Sequence, residues 1–242
     1  MTLDELASRL KVAFKGEAEG ETKRFLRERA GCTPFHRFRL AVLRGDWTPE
    51  EWKHLQECAF CRKVLVKVME HIWHPSVEQI RGYILGSLGE PDLTDVRHHL
   101  EEDRCCLCLA VRDIIEPAAR ATTFPPVVAL TRKPFSLRAV GTSPKAGESI
   151  TIEGEAKEVR MVAQILREER GWVARAQVEG PPLEGAVIRF RVIKVNGEGK
   201  WDAESPLALA SGGRWASEVV LAPPEESIGD AYFIAALLPV KK

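Results

Sequence analysis

His54-Leu55-Gln56-Glu57-Cys58-Ala59-Phe60-Cys61 places a histidine, a cysteine four residues on and a second cysteine three residues after that. That spacing brings three soft or borderline ligands to one end of a helix, within reach of a single ion, and suits tetrahedral zinc. Outward along the chain the pattern returns. His98-His99-Leu100-Glu101-Glu102-Asp103-Arg104-Cys105-Cys106-Leu107-Cys108 keeps the Cys-x-x-Cys end and lengthens the gap between histidine and cysteine by two residues. The chain has six cysteines and six histidines, and all twelve lie between Cys32 and Cys108. Confinement of both residue types to one segment points to metal rather than to scattered core thiols.

Around the first stretch the sequence reads as helices. Phe35 to Leu43 carries Phe38, Leu40, Ala41 and Leu43 and stops at Gly45. Thr48-Pro49-Glu50-Glu51 is a helix start, with Thr48 as cap, Pro49 in the first turn and Glu51 completing a capping box. This helix delivers His54. A third helix, carrying Val64, Leu65, Val68 and Ile72, runs from the Cys-x-x-Cys to about Trp73. The order then repeats: His74-Pro75, a helix with Val77, Ile80 and Tyr83 ending at Gly86, a helix from Pro91-Asp92 carrying the histidines, and a last helix from Cys105 to about Ile115. Such a repeat is an internal duplication. Gly45 precedes His54 by nine residues and Gly86 precedes His99 by thirteen. The difference of four is about one helical turn, which favours His99 over His98 as the ligand.

The repeat defines two four-ligand sets: Cys32, His54, Cys58 and Cys61 in the first unit, and His74, His99, Cys105 and Cys108 in the second, with His98 and Cys106 as alternative ligands there. Four protein ligands close a tetrahedral shell, so the two expected zinc ions are structural and the chain is not expected to be an enzyme. Glu57, Glu101 and Glu102 read as exposed helix faces rather than as general bases, and His36 and His71 match no ligand position.

The rest of the chain falls into distinct segments. Residues 1–31 are a helical arm, with helices expected over 2–15 and 21–29; 32–73 and 74–121 are the two zinc units; 122–134, with Pro125, Pro126 and Pro134, is an extended linker. Residues 135–242 change to a period of two. Ser149–Glu155, Val159–Leu166, Trp172–Val178, Ala186–Val195, Trp215–Leu221 and Tyr232–Leu238 read as strands of a set of about seven. The fold class expected is therefore α+β in separate domains: an all-α zinc-binding helical repeat, then an antiparallel β-sandwich of immunoglobulin-like kind. The glycines in 197–199 and 212–213 read as turn residues.

Composition narrows the function. With 35 basic and 35 acidic residues the formal net charge is zero, which removes the simplest argument for nucleic-acid binding. Arg37, Arg39 and Arg44 beside Phe35 and Phe38 form a local basic and aromatic cluster, but Asp46, Glu50 and Glu51 come directly after it. No apolar run is long enough to cross a bilayer; Ala231 to Val240 is too short. With no secretion signal at the N-terminus, the cytoplasm is the expected compartment, where cysteines are thiols or metal ligands.

Over residues 30 to 120 the chain resembles the zinc-finger family that includes zinc-binding anti-sigma factors. Cys32-Thr-Pro34, Gly45, His54-Leu55, Cys58 and Cys61 match the pattern once. His74-Pro75, Tyr83-Ile-Leu-Gly86, His99-Leu100, Cys105 and Cys108 match it again. Thr33 and the two extra residues before Cys105 depart from it. The resemblance implies a helical domain that grips a sigma factor, with release when oxidation of the ligand thiols ejects zinc. An adaptor that binds another protein partner, for example in a stress or defence system, is the competing expectation.

Overall fold

The computed structural model describes residues 31–120, 125–130, 149–196, 200–210, 213–223 and 231–239. The helices expected over 2–15 and 21–29, the segment 131–148 and the glycines at 197, 199 and 212 lie outside the described residues. The chain divides into two compact units, 1–35 and 36–242. Apart from Phe35, the second holds every described helix and strand.

Six α-helices are described: α1 Phe35–Arg44, α2 Pro49–Glu57, α3 Ala59–His71, α4 Val77–Leu85, α5 Asp92–Arg97 and α6 Cys106–Ile115. They form two sets of three in the same order, as a duplication requires. The punctuation repeats with them. Gly45 and Gly86 end α1 and α4 with φ of 68° and 67°, a left-handed conformation that glycine adopts without steric cost. Thr48 accepts from the amide of Glu51 while Glu51 reaches back, and Ser76 and Gln79 do the same for α4. Leu55 and Leu100, each next after its histidine, are both buried.

The second copy absorbs its longer gap locally. After α5 the chain makes one π-helical turn, His98–Glu102, with the amide of Asp103 donating to the carbonyl of His98 at 2.9 Å. Arg104 then takes a left-handed φ of 54° before Cys105. A π turn holds one more residue than an α turn, and such insertions are tolerated where they aim a functional side chain.

Among the described residues nine strands form two antiparallel sheets: β1 Val127–Leu130, β2 Ser149–Ala156, β3 Val159–Glu168, β4 Gly171–Glu179, β5 Val187–Lys194, β6 Lys200–Pro206, β7 Ala208–Leu209, β8 Trp215–Ala222 and β9 Ala231–Leu238. One sheet has the order β1-β9-β5-β6, the other β2-β3-β4-β8-β7. Two packed antiparallel sheets answer the expectation of a sandwich. The strand order departs from the immunoglobulin one, in which strands 1, 2, 5 and 4 share a sheet. Here β2, β3 and β4 form a meander inside one sheet, and β1 pairs with the last strand. The segment read as a linker also holds structure, because Val127–Leu130 supplies β1. Pro125 and Pro126 precede the strand rather than interrupt it.

Trp172, Met161, Ile165, Phe190 and Phe233 fill the space between the sheets, with Phe190 and Phe233 stacked at 6.3 Å and 11°. β9 is buried along its whole length. Phe233, Ala235 and Leu237 belong to the core between the sheets. Tyr232, Ile234 and Ala236 face the other way and are buried as well, where α6 packs against the strand. Covering on both faces explains why Ala231–Leu238 is apolar without alternation. Arg191 of β5 reinforces this junction. It is buried, donates to the carbonyl of Ala110 on α6 at 3.4 Å, and pairs with Asp202, which Arg189 also holds at 2.8 and 3.0 Å.

Two outcomes test this packing. A Cβ on Gly154 would lie 2.6 Å from the Val128 carbonyl oxygen, so Gly154→Val forces β2 away from β1. It lowers stability by about 1–3 kcal/mol in urea melts. Burial raises the pKa of Asp202, but hydrogen bonds from Arg189 and Arg191 outweigh it and hold the carboxyl below its ordinary 3.8. A depressed carboxylate stabilises fully above that value, and its contribution is lost as pH falls through the lower folded pKa. Asp202→Asn therefore costs about 3 kcal/mol at pH 7, because Arg191 stays buried without its partner, and it flattens the pH dependence of stability below about pH 4.

Candidate metal centres

Each Cys-x-x-Cys sits at a helix N-terminus. Cys58 and Cys105 are the N-cap residues of α3 and α6, and neither makes a side-chain capping bond. Cys61 and Cys108 come next, in the first turn. There the helix dipole favours thiolates and the exposed amides offset their charge. None of the six cysteines forms a disulfide.

The histidines arrive from other elements. His54 is on α2, His74 lies in the turn before α4, and His99 is carried by the π turn. Among the described residues the side chains gather in two groups, Cys32 with His54, Cys58 and Cys61, and His74 with His99, Cys105 and Cys108. Within each, the ligand atoms all lie within 4.8 Å of one another. These are the two sets expected from the sequence. In the first, Nε2 of His54 is 3.3 Å from Sγ of Cys61. In the second, Nδ1 of His74 is 3.6 Å from Sγ of Cys105 and 3.4 Å from Sγ of Cys108. A tetrahedron with zinc-to-ligand bonds of about 2.0–2.3 Å has edges of roughly 3.3–3.8 Å, so these separations are of the right size.

The second group carries a further sign. His99 is 4% exposed, and its Nε2 is buried with no hydrogen-bond partner. Its Nδ1 lies 3.8 Å from Oδ2 of the buried Asp103. An imidazole with a carboxylate behind one nitrogen and an unsatisfied lone pair on the other has the arrangement of a metal ligand. Trp73 and His74 pack edge-on against the ring at 5.5 and 5.4 Å and hold its plane. The Cys105 thiol is held well below the ordinary range, first by a hydrogen bond from the Cys108 thiol and then by His74, against the effect of burial.

The alternatives fall outside. His98 is exposed and pairs with Glu102 at 3.0 Å. Cys106 is in neither group; loss of solvent, together with the adjacent Cys105 thiolate, pushes its thiol up to about 12. His36 and His71 are exposed, as are Glu57, Glu101 and Glu102. Arg62 donates to the carbonyl of Gln56 at the end of α2. Burial, and after it the charge interaction with Cys106, Cys105 and Cys108, pushes the Tyr232 hydroxyl well above its ordinary range, and β9, which carries Tyr232, packs against α6.

Sequence reasoning missed Asp103 and the arginines that hold it. The available signal was its position four residues after His99, one helical turn away. Comparison with protein-family models, curated proteins and solved structures finds no match to this chain.

Native mass spectrometry of the reduced chain, purified without added metal, is expected to show two divalent ions per 27.0 kDa chain. Cys58→Ser and Cys105→Ser each leave one. A folded chain with no bound ion would overturn the assignment of both groups.

Proposed function

We propose that this chain is a zinc-stapled regulatory protein of the anti-sigma kind, whose helical repeats bind and sequester a sigma factor. The observation that carries the reading is the closure of both groups. Each offers four thiol and imidazole ligands, the set that selects zinc, and so leaves no coordination position for water or substrate. Metal in such sites supports folding rather than reaction, and no enzymatic role is assigned. Helical units of this size build small cores, so the binding surface depends on the staple.

The arginine cluster supports a protein partner over a nucleic acid. Arg37 is paired with Asp46 and Glu51, and Arg39 with Asp103, so their charge is spent within the protein. Among the described residues no helix is long and apolar enough to cross a membrane. Six cysteines without a disulfide fit a reducing compartment, and the cytoplasm is the location proposed. The competing adaptor reading draws on the packing of α6 against β9, which commits that face of the helical repeat to the sandwich. The β-sandwich then acts as a second interaction surface for a partner other than a sigma factor.

The test uses the zinc-loaded chain and purified sigma factors from the same genome. Calorimetry is expected to give a one-to-one complex with at least one of them. Titration with a thiol oxidant releases zinc, read by a chromophoric chelator, and binding falls in step. Intact binding after full zinc loss would sink the staple. No binding to any sigma factor by the loaded chain would sink the anti-sigma reading and leave the adaptor.

A further inference from the structure

Helix α1 connects the two metal groups through its arginines. Arg37 holds the carboxylate of Glu51 with Nε at 3.0 Å and Nη2 at 2.8 Å, and Asp46 with Nη1 at 2.8 Å. Glu51 completes the capping box of α2, and His54 lies about one turn further along the same helix. The same α1 reaches the second group through Arg39 and Arg44. Arg39 spans both carboxylate oxygens of Asp103 at 3.3 and 3.1 Å. Arg44 donates to the carbonyls of Asp103 and Glu102 at 3.2 and 3.0 Å, closing the end of the π turn. Asp103 is buried, and its Oδ2 stands behind Nδ1 of His99.

We infer that α1 couples the two sites energetically, so that filling either cluster raises the metal affinity of the other. Arg39, Arg44 and Asp103 are the positioning residues that carry the effect. The inference rests on the reading that both clusters hold metal. A ligating imidazole binds best when its second nitrogen faces a fixed carboxylate, and the Asp103 carboxylate takes its hydrogen bonds from Arg39 of the first repeat, with His98 of its own repeat no nearer than 4.0 Å. An ion on His54, Cys58 and Cys61 immobilises α2 and with it the Glu51 anchor of α1. Arg39 and Arg44 then hold Asp103 without first having to be ordered, and His99 is preset for its own ion. Thermodynamic linkage makes the effect equal in the reverse direction.

The two groups differ in thiol count, three against two, so cobalt(II) distinguishes them by the intensity of its thiolate charge-transfer band per ion. Zinc affinities are obtained by competition with a chromophoric chelator on the full chain. Cys58→Ser is expected to weaken the second site by about 5–150-fold, and Cys105→Ser to weaken the first by a matching factor. Arg39→Gln combined with Arg44→Gln weakens the second site by about 10–100-fold and makes its affinity independent of the first, while the first keeps its cobalt spectrum. Asp103→Asn reproduces this result and serves if the double variant does not fold. If Cys58→Ser does not fold, the wild-type titration decides, since coupled sites fill more steeply than independent ones. Unchanged second-site affinity in Cys58→Ser, or coupling that survives both Asp103→Asn and loss of the arginines, overturns the inference. A chain that binds no metal would instead remove the reading on which it rests; two ions that fill independently remove the coupling alone.

Discussion

An imidazole nitrogen buried without a partner costs about 1–3 kcal/mol, and few native structures leave one. Nε2 of His99 is such an atom, and it sits with two thiols and a second imidazole on a π turn placed between two helices. That constraint organises the second repeat. The turn has to end where it does for His99 to point inward. Arg104 has to bend left-handed for Cys105 to cap α6 at the same point, and left-handed backbone costs a non-glycine residue roughly 1 kcal/mol. A repeat that spends free energy on both features has a favourable term elsewhere that exceeds them. Binding of an ion by four preset ligands is large enough to be that term.

The helical half could be read closely from the sequence because its signals are local. Both capping boxes, both left-handed glycines and both Cys-x-x-Cys motifs act within four residues, so the chain states them without reference to distant parts. The choice of His99 over His98 came from helical arithmetic, although that count assumes α-helix throughout and the residue is in fact carried by a π turn.

What the sequence concealed depends on contacts between distant segments. β1 was lost among prolines because a strand of four residues has too short a period to recognise, and its hydrogen-bonding partner is β9, over 100 residues later. β6 and β7 were missed for a related reason: in Lys200–Pro206 the charged Lys200, Asp202 and Glu204 alternate with Trp201, Ala203 and Ser205 at the rim of a sheet, and the strand's identity comes from pairing with β5. The immunoglobulin comparison failed on strand order, which alternation does not encode. Asp103 stands beside Glu101 and Glu102 in sequence, and its burial and its pairing with Arg39 from 64 residues away are what set it apart in the fold.

The junction between helices and sandwich gives the two halves a shared fate. α6 carries Cys108 at its start and packs on β9, and Arg191 ties Ala110 to a charge pair inside the β-sheet. Most of the buried side chains of α6 therefore lie in a layer bounded by a metal group at one end and a strand on one side. Loss of the ligands at its first turn removes the constraint on where α6 begins, while β9 still fixes where its apolar stripe must lie. The helix then either frays from its N-terminus or shifts on the strand, and a packed interface favours the first, because a shift would misalign every contact at once.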